Sequence, residues 1–278
     1  MPVKAIALLM VSSGLLTAEQ SPVSLSDAAK ARTLEKEAAL GRQLAKDFRQ
    51  QYGQLNTPVI QRYLQDLTQR ISVHVPDAEF PFNVSAIHGD PCSATHEPVA
   101  LPGGYVFVPA ALFLTAEKEA EMAGLLAQAM ERIVLHAGVY HVPRGGAAQL
   151  ASIPLTFFGG GCTAAQRVPV AERRSTGELV LAADRGAVQI MARAGFNPVA
   201  LVHYIERVQS EDADIAYTAL PTRTERIAAM QMAIKNLPKL KYSAQDHAFN
   251  SIQKEVRRLS DNAIASRTIP TLKRGGNQ

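Results

Sequence analysis

The chain has 278 residues, of which 47% are hydrophobic and 19% charged, and this is the composition of an ordinary globular protein. Its formal net charge of +4 is spread along the sequence. The last third is richer in basic residues, for example Lys235, Lys239, Lys241, Arg257 and Arg258. We interpret these as a solvated basic face, because a nucleic-acid-binding chain usually gathers its basic residues in one patch. Nucleic acid is therefore not an expected partner, and DNA binding stays as a lesser alternative.

The N-terminus has the pattern of an export signal. Lys4 precedes an apolar run over residues 5–16, and Leu16-Thr17-Ala18 offers small residues near a cleavage point. We therefore expect a signal peptide over residues 1–18, a mature chain that begins near Glu19, and a periplasmic or extracellular location. The run is shorter than the ~20 apolar residues that cross a bilayer, no later segment is a transmembrane candidate, and no Cys follows the run to carry a lipid anchor.

An oxidising compartment changes the interpretation of the two cysteines, Cys92 and Cys162. In an exported protein they can form one stabilising disulfide. Two unpaired thiols in loops are the alternative. Neither cysteine has the CxxC or Cys/His spacing of a metal site.

The first elements are predicted by caps and periodicity. Ser26-Asp27 can cap a helix that ends before Gly53, and Asn56-Thr57-Pro58 begins a second helix with apolar residues at helical spacing. Alternation predicts a strand over residues 82–87. Residues 99–108 predict two short strands turned by Leu101-Pro102-Gly103-Gly104. We expect a small antiparallel sheet between helices.

A largely buried helix is predicted over residues 115–135. Glycines and prolines interrupt residues 137–176, which predicts an insertion over one face of the domain. Helical patterns resume over residues 178–194, 198–208 and 221–237. We therefore expect one domain over residues 19–255 that contains the 137–176 insertion, followed by a basic C-terminal tail over residues 256–278.

The 125–135 helix has the apolar setting of a zinc-protease helix without its ligands. In an HExxH helix, two histidines four residues apart share one face and bind zinc, and the intervening Glu activates the metal-bound water. Here the three positions are Gln128, Ala129 and Arg132. An amide, a methyl group and a permanent cation cannot form a catalytic zinc site.

Four segments in the same order resemble the M48 family of zinc metallopeptidases, in particular its exported soluble bacterial members. The likeness covers residues 35–234. The segments are the ALPGG-like strand over residues 100–108, the helix over residues 121–135, Ala183-Asp184-Arg185-Gly186 with the following residues 191–198, and Pro221-Thr222-Arg223-Thr224-Glu225-Arg226-Ile227. The resemblance implies an α+β fold: a mostly helical, zincin-like domain with a small antiparallel sheet next to the former active-site helix.

The resemblance also identifies what has been replaced. The family's zinc ligands are the two HExxH histidines and a Glu four residues before the Asp of the third segment, and these positions hold Gln128, Arg132 and Val180. Ala129 stands at the position of the family's catalytic Glu. Leu220 stands at the position of the His that precedes the Pro of the fourth segment. Glu97 stands where the family commonly has an Asn, a few residues before the ALPGG segment. No catalytic residue and no metal ligand is therefore expected, and no cofactor.

Substitute ligands are few. Glu131 and His136 lie five residues apart, roughly 140° around the helix, and so do not converge. Glu178 lies two residues before Val180. Because catalytic zinc normally takes three protein ligands, a rebuilt site is not favoured.

Arg132 needs a partner if the old pocket is closed, because an isolated buried cation loses its hydration. Asp184 or Glu178 on the facing helix is the expected carboxylate. The alternative is that Arg132 reaches solvent through an open cleft. Asp184 itself is expected to support the helix pair, since in the family that Asp lies outside the ligand set.

The sequence thus favours an exported, non-catalytic pseudopeptidase that binds a protein or peptide in the inherited cleft. The candidate cleft residues are Arg132, His136, Glu178, Asp184, Gly103, Gly104, Tyr105 and Arg226. The strand over residues 105–108 is a candidate edge for an added peptide strand, and the alternative is that it is only core. The competing function is an active zinc-dependent metalloendopeptidase with atypical ligands.

Overall fold

The computed structural model describes residues 25–93, 95–136, 170–211, 220–242 and 247–267. Its helices are α1 (Leu25–Tyr52), α2 (Pro58–Ser72), α3 (Ala110–Thr115), α4 (Glu119–His136), α5 (Val170–Arg193), α6 (Val199–Val208), α7 (Arg223–Lys235) and α8 (His247–Arg267). Its strands are β1 (Asn83–Ile87), β2 (Val99–Leu101) and β3 (Tyr105–Pro109). A short 3-10 helix, Pro102–Gly104, joins β2 to β3. The predicted α+β class is confirmed.

The three strands form a mixed sheet in the order β1-β3-β2. β2 and β3 are the predicted antiparallel hairpin, whereas β1 pairs with β3 in the parallel direction. β3 is therefore the central strand. The expectation that residues 105–108 offer an edge to a peptide is wrong, because both sides of that strand are already paired.

The hairpin turn is fixed by a close approach of α1. Gly103 and Gly104 have φ angles of +71° and +87°, which only glycine adopts without strain. Gly41 lies against the same turn, where a Cβ would come 2.0 Å from the carbonyl oxygen of Pro102. The close contact of α1 with the hairpin turn therefore requires a glycine in the helix and glycines in the turn.

The core has two parts, one on each side of the sheet. Val106 and Val108 of β3 face the larger part, which surrounds α4 and includes the buried side of α2. Phe107 faces a smaller part that packs against Phe48 of α1. Successive side chains of β3 point to opposite faces of the sheet, so this strand contacts both α1 and the core around α4.

The C-terminal residues differ from the expected tail. α8 runs over residues 247–267 and crosses the expected boundary at residue 255. Phe249, Ile252 and Val256 are buried at spacings of three and four, which is one face of a helix. α5 likewise begins at Val170, within the expected insertion, and residues 137–169 of that insertion lie outside the described part of the chain.

Two further predictions concern covalent and membrane features. Cys92 is completely buried and disulfide-bonded, whereas Cys162 lies outside the described residues, as does the expected signal peptide. The pairing of these two cysteines stays a prediction. None of the described helices is long and apolar enough to cross a membrane.

Candidate functional site

The positions that would hold a zinc protease's metal are all inside the protein. Gln128 and Arg132 lie one turn apart on α4 and are 0% and 1% exposed. Val180 of α5 is buried as well, and so are Ala129 and Leu220. Two long polar side chains therefore project into a region that is otherwise closed by apolar groups, and each polar atom needs a partner.

Gln128 connects the two facing helices. Its side-chain oxygen accepts a hydrogen bond from Nη2 of Arg132 at 3.0 Å. Its amide nitrogen donates to Oδ1 of Asp184 on α5 at 2.5 Å. A neutral amide can do both because it carries a donor and an acceptor.

Arg226 is the centre of the buried cluster. Its guanidinium donates to both oxygens of Asp184, from Nε at 2.8 Å and from Nη2 at 2.9 Å. Its Nη1 donates to Oε1 of Glu97 at 2.6 Å and to Oε1 of Gln209 at 3.0 Å. The fork of arginine thus joins two carboxylates and an amide from separate parts of the chain.

Local structure holds Arg226 in this position. Thr222 and Glu225 form a reciprocal capping box that fixes the first turn of α7. Gln209 is anchored in turn, because its amide nitrogen donates to the carbonyl of Pro221 at 2.8 Å. The start of α7 and the end of α6 therefore present Arg226 and Gln209 together.

Arg132 completes the cluster through Glu97. Its Nη2 lies 3.8 Å from Oε2 of Glu97, so the pair is an ion contact rather than a short hydrogen bond. The expected direct partners are not found: Asp184 is reached only through Gln128, and Glu178 is exposed. The solvent-exposed alternative is also wrong, because Arg132 is buried.

The charges in the cluster balance. Arg132 and Arg226 face Glu97 and Asp184, two cations and two carboxylates, all of them at most 1% exposed. Burial lowers the pKa of Arg132, and the charges of Glu97 and Asp184 counteract it. Burial would lower the pKa of Arg226 too, but Asp184 and Glu97 more than offset it and raise that pKa. Glu97 and Asp184 are therefore the counter-charges that both buried guanidiniums depend on.

The donor set does not fit a zinc ion. Glu97 and Asp184 are the carboxylates of the cluster, and both are engaged with guanidinium groups. Within residues that the structure describes, no group of three or more His, Cys, Asp or Glu side chains is placed to hold a metal. A divalent cation here would also meet two positive side chains. We derive no catalytic step through zinc.

Among the remaining candidate residues whose side chains the structure describes, none belongs to this cluster. Gly103 and Gly104 form the hairpin turn under α1, and Tyr105 is half-buried at the start of β3. His136 ends α4, and its side chain lies outside the described part of the structure. Glu131 lies against Gly186 of α5, where burial raises the pKa of its carboxyl.

Three members of the cluster are absent from the candidate cleft residues: Gln128, which the sequence analysis names only as a replaced zinc ligand, Glu97 and Gln209. Glu97 entered the sequence analysis only as a replaced Asn, and Gln209 did not enter it. The signal for Glu97 was charge: an arginine at a buried position requires a carboxylate, and Glu97 replaces a neutral residue beside the same pocket. No comparable signal pointed to Gln209.

Comparison with known proteins supports the resemblance to metallopeptidases. No family model matches the chain. It is 25% identical to the beta-barrel assembly-enhancing protease of Escherichia coli (strain K12) over 209 residues, which cover 69% of this chain and 41% of that protein. The protein of the same name from Yersinia pestis is 24% identical over 218 residues, 72% of this chain and 43% of the relative. The chain thus spans less than half the length of these curated relatives.

Proposed function

We propose that this protein is an exported, non-catalytic relative of the M48 metallopeptidases that binds a protein or peptide partner. The observation that carries the proposal is the buried cluster. A guanidinium from Arg132, tied to Gln128 and balanced by Glu97, lies where the scaffold of an active relative would place two zinc-binding imidazoles.

Energetics support this interpretation. Metal entry would require Asp184 or Glu97 to leave Arg226, which would then remain buried without its counter-charge. Breaking a buried pair in this way costs about 3–5 kcal/mol. The cluster therefore favours a stable, metal-free protein over a weakened zinc site.

The partner class follows from the relatives. Their name refers to the assembly of β-barrels. We propose that the partner of this chain is a polypeptide that is not yet fully folded and still presents an extended segment. Such a partner needs a binding surface on this protein but no hydrolysis.

The deciding experiment is metal analysis of protein purified without added metal, together with a casein cleavage assay with and without chelator. We expect substoichiometric zinc and no chelator-sensitive cleavage. The comparison variant carries Gln128→His, Ala129→Glu, Arg132→His, Val180→Glu and Glu97→Asn, which restores the donor set. Stoichiometric zinc and chelator-sensitive cleavage in the unaltered protein would instead establish the alternative, an active metalloendopeptidase with atypical ligands.

Export has its own test. Expression of the full chain in a bacterium with a periplasm is expected to yield a mature protein that begins near Glu19. Intact mass and N-terminal sequencing of the periplasmic fraction measure this directly. A full-length product confined to the cytoplasm contradicts the export part of the proposal and leaves the rest standing.

A further inference from the structure

A groove lies along the outer edge of the sheet, away from the buried cluster. Its volume is about 760 Å³, within the range of ligand-binding clefts. β1 and the residues before it form one wall, and the exposed side of α2 forms another. The groove shares no residue with the cluster around Arg226, so it needs its own explanation.

Part of the β1 edge is already paired. The amide of Leu55 donates to the carbonyl of Ala86 at 2.9 Å, and His88 donates to the carbonyl of Gly53 at 3.0 Å. Gln54 and Ile87 form an antiparallel bridge. Residues 53–55 thus act as a short antiparallel strand on this edge, before Pro58 begins α2.

The other part of the edge is open to the groove. Backbone groups alternate sides along a strand, so Val84 presents its N–H and C=O to the same edge as Ala86, two residues later. Across the described ranges, no backbone hydrogen bond reaches Val84 on that side. Val84 is half-buried and lines the groove. Unpaired strand groups of this kind accept another strand.

The opposite wall carries amide side chains and no acidic ones among the described lining residues. Gln61, Gln65 and Gln69 recur every four residues along α2 and form an exposed stripe of amides. Amides donate and accept, as a peptide backbone does. A groove between an open strand edge and an amide stripe is therefore complementary to an extended polypeptide.

Charge specifies the occupant further. Arg49 of α1 is the only charged side chain among the described residues that line the groove. Its guanidinium is held over the rings of Phe107 and Tyr105, at 5.4 and 5.6 Å from their centres. No carboxylate of the described chain pairs with it. The site therefore offers a fixed cation to a carboxylate of the occupant.

We propose that this groove binds an extended acidic peptide segment of a partner protein, which adds to β1 beside Val84 as an antiparallel strand. The peptide would run in the same direction as residues 53–55, which also lie antiparallel to β1. The proposal rests on the binding function proposed above, and it places that binding at β1 rather than in the former active-site cleft.

The test uses a displayed library of random decapeptides, with selected sequences resynthesised and their binding to the full chain measured by fluorescence anisotropy. Selected peptides are expected to be enriched in Asp and Glu. Val84→Pro removes only the outward N–H, because this residue faces away from β3, and it should weaken binding by about tenfold or more. Backbone N-methylation of the peptide at the pairing positions should weaken binding similarly without any change to the protein.

Arg49→Gln tests the charge separately. It should weaken the binding of acidic peptides by about tenfold and leave the binding of their Gln analogues unaffected, because only the acidic peptides lose a charged hydrogen bond. Arg42→Gln, an exposed arginine on the same helix that does not line the groove, is the matched control and should change nothing.

Several results would overturn the proposal. One is equal binding of selected peptides to Val84→Pro, Arg49→Gln and the unaltered protein. Another is a dimer by sedimentation that Val84→Pro converts to a monomer, which makes a second copy the occupant. A third is peptide binding only after removal of residues 1–24 or 268–278, which makes the chain its own occupant. Zinc and casein cleavage, by contrast, would remove the non-catalytic function and leave the binding measurements to stand or fall by themselves.

Discussion

The cluster around Arg226 and the groove beside β1 are two polar regions with opposite arrangements. In the cluster, charged groups from α4, α5, α7 and the segment before β2 meet one another and leave almost no exposed surface. In the groove, backbone and amide groups face solvent, and a single cation lies over two aromatic rings. The charges of the first region pair with one another inside the protein, although Nε and Nη1 of Arg132 and Oε2 of Glu97 form no hydrogen bond among the described residues. The second region leaves its polar groups open to a partner.

This difference bears on which of the two regions would bind a partner. The resemblance to zinc peptidases draws attention to α4, but there the charged groups are buried and contact one another across three helices. A buried, neutral set of ion pairs specifies a structure more readily than it binds a ligand. The binding surface is therefore to be sought where polar groups remain open.

The strongest way to break the comparison is Arg226→Met. It leaves Glu97 and Asp184 buried without their cation, so we expect the free energy of unfolding to fall by about 3–5 kcal/mol. Urea unfolding followed by circular dichroism measures it. Arg223→Met, three residues earlier on α7, removes the solvent-exposed pair with Glu211 and should cost at most about 1 kcal/mol. Equal losses for the two variants would mean that the cluster is not what holds α7.

Glu97→Asn is expected to cost less, about 2–3 kcal/mol, because Arg226 keeps its two hydrogen bonds to Asp184 while Arg132 loses the one carboxylate in ion contact with it among the described residues. The double variant Glu97→Asn/Arg132→His removes the stranded cation as well. It should therefore recover part of the loss in the same unfolding assay. If the double variant is no more stable than Glu97→Asn, the two residues are not coupled.

The sequence predicts the local parts of both regions and not their long-range pairings. Thr57 caps α2 and Gly103 turns the hairpin through chemistry confined to a few neighbouring residues. The contact of Glu97 with Arg226 joins residues 129 positions apart, and no local pattern encodes it. The parallel pairing of β1 with β3 is likewise a choice of topology, and it decides which strand has a free edge.

α8 is a different case, because its signal is present in the sequence. Its buried residues lie at helical spacing, but basic residues between them gave the segment the character of a solvated tail. Charged side chains on the outer face of an amphipathic helix are compatible with burial of the other face. Periodicity was the better guide there than composition.

Two glycine variants compare how tightly α1 packs on the hairpin turn and α5 packs on α4. Gly41 lies mid-helix in α1, against the hairpin turn, and Gly186 lies mid-helix in α5, two residues from Asp184. Both gain about 1 kcal/mol of helix propensity on change to Ala. The Cβ at residue 41 meets the backbone of Pro102, which cannot move, so Gly41→Ala should lower stability by about 1–3 kcal/mol.

The Cβ at residue 186 meets the side chain of Glu131, which is only partly buried and is able to change rotamer. Gly186→Ala should therefore leave the stability unchanged or raise it. The melting temperatures of both variants, measured by circular dichroism, test this. A larger loss at residue 186 than at residue 41 would mean that the contact between α4 and α5 is the more rigid of the two.

The smallest expected effect is a pH dependence from Glu37 of α1. Burial raises the pKa of this carboxyl to about 7, and the backbone of Gly103 offsets part of the shift. Because the folded protein holds this proton more tightly than the unfolded chain, Glu37 stabilises the fold at low pH and loses that contribution as pH rises through 7. The melting temperature should therefore fall by a few degrees between pH 5.5 and 8, since each kcal/mol corresponds to about 2–4 °C at this size. Glu37→Gln should melt at nearly the same temperature at both pH values, whereas an unchanged slope would assign the dependence to another group.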